Sequence, residues 1–542
     1  MILALICCLT LFMGHTGAYS LLNDSCTFSS KKCNDLPSFA STALLSQRDV
    51  AYNATIDQQM TVGLNVSSTL FAPYGYTQKG LAYLNRALEV GYRSLLVDAY
   101  WSDEHTQWQL CPVELQDWNG EESAVRIADS SYTCQGNLSL SDIYGVLGQY
   151  ISYTDTNIAA NVITMRVSLH RAIGSKSSPQ KPQSLSSELA SYFTTKLYTP
   201  ANLTSDRRQG IALDPYGHPS DKGYPTVHQF LFLSKKRLLI SVSADNSTRY
   251  DFDSDSNVLF RPGFGVADPN DIELATTINT QECTDTQLGQ LVQPNEHNDT
   301  KITASWRTII ETSNHTFTNS SLQRYVQCGY SPIINTPFDS EEDLVAPIEQ
   351  TMWGWAPGQP DSNDTTTDID ASNSSSIPVS YNCAALDKDG WVVTNCYQEM
   401  VPLCRVENET YSFVAGNSSV RYFEGHGGCP EGTRFAVPRT ALQNSVAAVT
   451  LADHLPLWVD LSSIAVDDCW VSGGAYSQCP YHVISHNRNN IGQLASAVVV
   501  AFVLLVVVFL LRLDAVPLRK NRNRWRRLMN KYSQVEYQGV PA

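Results

Sequence analysis

A chain of 542 residues is too long for one ordinary core and implies two to four domains, and 43% hydrophobic residues exclude a disordered polymer. The formal net charge of −16 is unevenly spread: past Leu511 eight basic residues meet two acidic ones, a net of +6, which leaves −22 on everything before. An acidic body repels phosphate backbones, so direct nucleic-acid binding by the body is disfavoured.

The first twenty residues hold no Asp, Glu, Lys or Arg; Ile2 to Met13 is apolar, and Gly17, Ala18 and Ser20 are small. This reads as a secretory signal peptide over 1–20, cleaved near Ser20. Twelve apolar residues are too few to span a bilayer.

A first folded unit is expected over 40–285. "GLAYLNRALEVGYRSLLVDAYW" places Leu81, Leu84 and Leu88 on one helix face, stops at Gly91 and runs into a strand from Ser94 to Tyr100. "LSDIYGVLGQYI" then "AANVITMRVSLH" repeats helix and strand, ending at His170, and "TVHQFLFLSKKRLLISVSADN" does so again. Such alternation favours an α/β sheet, possible as a barrel. "ALEVGYRSLLVDAYW" and "GYPTVHQFLFLSKKRLLISV" resemble two segments of phosphatidylinositol phospholipase C-like TIM barrels. The resemblance implies two catalytic histidines at the barrel mouth. The matching stretches "LLSQRDVAYNATIDQQ" and "WQLCP" contain none, and His105 lies in the polar run "SDEHTQW", as an exposed loop residue would. The expectation is a degenerate, inactive barrel. Asp98 and His170 lie at the C-terminal ends of expected strands, where barrel sites gather; as two isolated residues they read first as satisfied polar groups at strand ends.

A second unit is expected over 301–406. "SLQRYVQC" ends a helix-like segment at Cys328; "WGWAPGQPD", "NCAAL", "GWVVTNC" and "VPLCR" follow. This order resembles a C-type lectin-like domain, an α+β fold, and the resemblance implies nested bridges Cys328–Cys404 and Cys383–Cys396, where the residues alone allow three pairings. Trp355, Gln359 and Asp361 stand where such domains carry a ligand loop. Calcium needs six to eight oxygens, yet Val392 and Val393 follow Trp391, and Tyr381 precedes Cys383 by two, where calcium-binding lectins place oxygen ligands. No metal or other cofactor is expected, and the polar insertion between Asp361 and Cys383 reads as a glycosylated loop. An incomplete second lectin-like unit is expected over 407–485, from "LWVDL" and "CWVSGG", with Cys469 paired to Cys479. A Cys429–His426 metal site is the sharper but less common alternative.

"LASAVVVAFVLLVVVFLL", 494–511, is a transmembrane helix by length and apolarity, and the basic residues from Arg512 to Lys531 keep the tail 512–542 cytosolic. The topology is single-pass type I, with lipid met by the anchor and basic tail; an endomembrane or vacuole is possible. Tyr532–Val535 and Tyr537–Val540 fit a tyrosine-based sorting pattern. The twelve cysteines that remain after the signal all precede the anchor and read as disulfides, with the pairing of Cys26, Cys33, Cys111, Cys134, Cys283 and Cys429 left open. The sequons at Asn23, Asn53, Asn65, Asn137, Asn202, Asn246, Asn298, Asn314, Asn319, Asn363, Asn373, Asn408 and Asn417 also precede it, as surface glycosylation requires.

"VGYRSLLVDAYW…WQLCPVEL", "CPEGTRFAVPRTALQN", "LWVDL…DDCWVSGG…CPY" and the terminal "EYQGVPA" together resemble the fungal maintenance of telomere capping protein 6 family, from about Ser46 to Ala542. The resemblance implies a part in telomere capping, inferred genetically, with no established catalysis. A body behind a membrane does not touch telomeric DNA, so such a part is indirect. The expected function is a non-enzymatic scaffold or interaction protein, with lumenal glycoproteins or glycans as candidate partners. The alternatives are a glycan receptor and a lipid or glycan phosphodiesterase.

Overall fold

The computed structural model describes residues 36–261 and 306–481, apart from 117–118, 128–129, 176–180, 313–315, 341 and 362–378, together with 502–506 and 518–533. The signal peptide, most of the apolar run 494–511, the sorting pattern beyond Ser533, and Asn23, Asn298, Asn314, Asn363 and Asn373 lie outside them. Among the described residues no helix is long and apolar enough to cross a membrane. Residues up to Cys479 form one compact unit, and Pro480–Ala542 another. In the second unit, Leu518–Ser533 is a helix that carries most of the basic tail, with Trp525, Leu528 and Met529 exposed at helical spacing.

The first sheet is built from β1 (Gly63–Asn65), β2 (Ser94–Ser102), β3 (Gln107–Gln109), β6 (Ile163–Arg171), β7 (Leu197–Tyr198), β8 (Leu238–Ala244), β9 (Thr308–Ile310) and β10 (Ser331–Ile334), with a separate hairpin of β4 (Glu122–Ile127) and β5 (Ser130–Gln135) inserted after β3. Its order is β7-β8-β6-β2-β1-β10-β9, parallel throughout, with β3 folding back antiparallel on β2. Alternation decides the faces: Leu95, Val97, Ala99 and Trp101 of β2 are buried in the main core with Leu81, Leu84 and Leu88 of the preceding helix, Gln78–Val90. That helix starts at Thr77, whose side chain accepts the Lys79 N–H, and ends at Gly91 with φ +135°, a conformation that favours glycine.

The parallel sheet extends further along the chain than the expected boundary near 285, because β9 and β10 close onto β1. The helix before Cys328, Asn319–Gln327, is the crossover between β9 and β10. It belongs to the barrel sheet, and the expected unit 301–406 begins inside that sheet. Parallel neighbours need such a crossover, which is why a helix sits there.

The second sheet contains β11 (Tyr381–Asp387), β12 (Gly390–Asn395), β13 (Val401–Val406), β14 (Phe413–Ala415), β15 (Thr433–Phe435) and β16 (Leu457–Ser462), in the order β12-β11-β16-β13-β14, with β15 on β13. All six residues of β16 are buried, because β11 and β13 flank it. "LWVDL" is therefore a central strand of this sheet, and 407–485 is not a separate second unit.

Four bridges join described cysteines: Cys111–Cys134, Cys383–Cys396, Cys404–Cys429 and Cys469–Cys479. The pairing Cys328–Cys404 is thereby corrected. Cys328 caps the barrel crossover helix and is disulfide-bonded, but Cys404 lies on β13 beside β15 and takes Cys429. Cys429 is then no metal ligand, and no group of His, Cys, Asp and Glu among the described residues is arranged to hold a metal.

The stretch expected as a ligand loop is a clamp. Trp355 is 2% exposed; its indole N–H donates to Ser46 Oγ at 2.7 Å, and the Gly354 N–H donates to Gln47 Oε1 at 2.8 Å. Both acceptors lie on the helix Ser38–Val50, which precedes the barrel strands. Trp353 and Trp355 pack edge-on against Trp391 at 5.4 and 5.7 Å, and a Cβ on Gly354 would stand 2.7 Å from that ring. Gln359 is buried and its Oε1 accepts the Val393 N–H at 3.0 Å, while Asp361 is partly buried beside it. The roles expected for Trp355 and Gln359 are corrected: their polar atoms meet protein, because burial demands internal partners.

Of the sequons on described residues, Asn53, Asn137, Asn246, Asn319, Asn408 and Asn417 are exposed and Asn202 half-buried. Asn65 differs: its Nδ2, the atom a glycan would take, donates to Asn335 Oδ1 at 3.0 Å.

Trp355→Ala should lower stability by about 3–5 kcal/mol, read as the urea midpoint of the purified full-length protein. An unchanged midpoint would place this side chain on a free surface instead.

Candidate functional site

Because the barrel strands are parallel, their C-terminal ends share one edge, and the polar residues there come from strands far apart in sequence. On β2 the even positions Leu96, Asp98 and Tyr100 form the partly accessible face. The β2–β6 register sets Asp98 against Ser168 and Tyr100 against His170; β8 ends at Ala244 opposite Leu169, so Asp245 follows beside His170.

These residues meet at His170. Its Nδ1 lies 2.6 Å from Asp245 Oδ2 and its Nε2 3.2 Å from Asp98 Oδ1. The imidazole also stacks on Tyr100, centroids 5.3 Å apart. A ring with a carboxylate at each nitrogen donates from both only as imidazolium. The bond to Asp98 raises the His170 pKa most; burial opposes it, and Asp245 raises it further. Burial and the Asp98 carboxylate also push the Tyr100 and Tyr76 phenols upward, so both stay neutral.

The surrounding frame is fixed by backbone bonds. The Asp98 N–H donates to Ser67 Oγ at 3.1 Å, and Ser67 follows β1. Buried Glu311, just past β9, accepts the N–H groups of Phe317, Asn335 and Thr336 at 2.6–2.8 Å. That holds Asn335, past the end of β10, against Asn65 at the end of β1. Beside His170, Arg171 donates to Asp103 at 2.5 Å. Below the mouth the face stays polar: Ser243 donates to Ser168 at 3.3 Å, and Arg166, whose pKa burial lowers to about 9, donates to Thr308 Oγ1 at 3.1 Å.

Asp98 and His170, which the sequence leaves isolated, are thus brought together. Asp245 is the member that sequence reasoning missed; its signal was the polar end of "LLISVSADN", one residue past a strand. His105 does not join them: it is partly buried, and its Nε2 lies 2.7 Å from the Leu115 carbonyl.

The pH dependence follows from the raised His170 pKa. Below the ordinary histidine value of about 6.5 the ring is charged folded or unfolded, and its carboxylate bonds contribute their full stability. The contribution fades as pH rises through the higher folded value. The loss of melting temperature on His170→Ala should therefore be larger at pH 5.5 than at pH 9; the reverse order would contradict a raised pKa.

The family model described as "MTC6 partial TIM-barrel domain" matches residues 36–354, a span that takes in β9 and β10. The "Maintenance of telomere capping protein 6" of Yarrowia lipolytica is 29% identical, over 92% of this chain and 91% of that one. Its namesake in Meyerozyma guilliermondii is also 29% identical, over 92% and 94%. Among solved structures, a calcium-dependent phosphoinositol-specific phospholipase C from Pseudomonas sp aligns at a TM-score of 0.26 with 15% identity, covering 39% of this chain and 67% of that one. A phosphatidylinositol-specific phospholipase C from Staphylococcus aureus aligns at 0.27 with 9% identity, covering 56% and 97%. At such scores their chemistry does not transfer. The parallel sheet with its matched family model makes the fold a partial TIM barrel, and the chain belongs to the maintenance of telomere capping protein 6 family.

Proposed function

We propose that this chain is a single-pass type I membrane glycoprotein whose body binds partners without catalysing a reaction, and that its part in telomere capping is indirect. The observation that carries the non-catalytic reading is the pairing of His170. A general acid or base needs a ring nitrogen within reach of the substrate. Here each nitrogen faces a carboxylate of the same chain, at 2.6 and 3.2 Å. A phosphodiester arriving at this edge would meet Asp98 and Asp245 holding the His170 ring, and the adjacent cation, Arg171, is tied to buried Asp103. The exposed sequon asparagine Asn246 directly follows Asp245, so a glycan there would stand over the mouth.

The topology rests on the sequence. An eighteen-residue apolar run precedes the basic tail, and the sequons all come before it. The disulfides among described residues suit an oxidising lumen. The helix Leu518–Ser533, basic with Trp525, Leu528 and Met529 at helical spacing, has the composition of a segment that lies on anionic lipid. A body of −22 on the far side of a membrane leaves a telomeric effect to trafficking, lipid or wall metabolism, or stress signalling.

The test is turnover by the full-length glycoprotein purified in detergent, assayed on phosphatidylinositol and a chromogenic phosphodiester. Hydrolysis should stay at the blank and be the same for His170→Ala. Hydrolysis above the blank that is lost in a folded His170→Ala protein would establish an enzyme.

A further inference from the structure

The second sheet contains an arrangement that costs stability unless something answers it. In the antiparallel register of β13 and β15, Arg405 stands directly opposite Arg434. Like charges so placed repel one another. Arg405 is only 7% exposed, and Arg439, after β15, is half-buried near both. Burial first, and then the charges of Arg439 and Arg434, lower the Arg405 pKa to about 10. Arg439 is shifted the same way by burial and by Arg434, with Asp460 opposing.

None of these three guanidinium groups makes a hydrogen bond or ion pair among the described residues, and Arg434 is exposed to solvent. Buried Arg48 and Arg237 differ. Arg48 donates to the carbonyls of Ile158 and Ala160, and Arg237 to those of Asn161 and Thr154. Arg405, Arg434 and Arg439 instead line a cavity of about 250 Å³, whose other walls are residues 53–58, 213–218, 408–410 and Gln443, with the exposed sequon asparagines Asn53 and Asn408 at its border. The acids that also border it, Asp214 and Glu409, make no ion pair with them. Asp214 accepts the N–H groups of Tyr216 and His218, each at 2.9 Å, and Glu409 is exposed.

We propose that this cavity binds a phosphate-type oxyanion, as inorganic phosphate or as the phosphoryl group of a small phosphorylated ligand, held by Arg405, Arg434 and Arg439. Guanidinium forks match the oxygens of such an anion and bind it bidentately. A second negative charge on the ligand offsets the crowding of positive charge that the register enforces. The volume lies below the range of about 300–1,000 Å³ typical of drug-sized ligands, which favours phosphate with at most a small attached group. The cavity lies between the two sheets, where Gln58 donates to Tyr411 Oη at 2.9 Å and Thr410 to the Tyr216 carbonyl at 2.9 Å. An anion there adds a further tie across the same seam.

The experiment is thermal unfolding of the full-length glycoprotein in detergent, titrated with inorganic phosphate and with sodium chloride at matched ionic strength. A phosphorylated hexose and the unmodified hexose form a second pair. Phosphate should raise the melting temperature beyond chloride, with a half-maximal concentration at least tenfold higher in Arg405→Gln and Arg434→Gln. In chloride alone Arg434→Gln should melt at or above the unsubstituted protein, because one of two opposed charges is gone. That sign separates a lost ligand from a damaged fold. A stronger response to the phosphorylated hexose identifies a phosphorylated ligand, and a stronger response to inorganic phosphate identifies the free anion. No response beyond chloride, or an equal response in both variants, would overturn the proposal.

Discussion

The contact on which the two sheets depend is the one between the 353–361 loop and the helix Ser38–Val50. Trp355 and Gly354 each donate one hydrogen bond to that helix, at Ser46 and Gln47, and both bonds are buried. The indoles of Trp353 and Trp355 meanwhile flank Trp391 of β12, whose own indole N–H donates to Asn444 Oδ1 at 2.9 Å; Asn444 then donates to the Trp353 carbonyl at 2.9 Å. Each polar atom in this chain of contacts is satisfied by the next, which makes its loss more costly than its formation is rewarding. The loop thereby fixes the second sheet against the first, and the seam with its arginine-lined cavity follows from that placement.

The long strands β2, β6 and β8 were legible in the sequence, since each is rich in apolar residues and an apolar helical period precedes β2 and β6. Strands β9 and β10 were not, because three or four residues carry no period, and a helix ending in Cys328 fits a barrel crossover as well as another fold's first helix. The "WGWAPGQPD" loop leaves a ligand role open in the sequence for a chemical reason: a carboxamide oxygen serves a backbone N–H as readily as a ligand. Only the position of Val393 showed which one Gln359 had.

The candidate site divides similarly. Asp98 and His170 drew attention at strand ends, and parallel topology then explains why they meet. Asp245 stayed hidden because a residue just past a strand in a polar loop has no pattern of its own. The opposed pair Arg405 and Arg434 was equally invisible, since antiparallel register joins residues that no local spacing links. Both are contacts of topology, and topology is what single-sequence periodicity reports least.

A barrel mouth whose histidine is bound by its own chain on both sides is a different object from one that offers an imidazole to a substrate. The proposed non-catalytic reading therefore stands or falls on the protonation of one ring. The most direct measurement is nitrogen NMR of the protein with 15N-labelled histidine, with His170 assigned by its loss in His170→Ala. At pH 6.5 the account predicts that His170 is mainly imidazolium, with both nitrogens protonated and similar in shift. A neutral ring at that pH, with one nitrogen bare, would contradict it and leave a base free for chemistry.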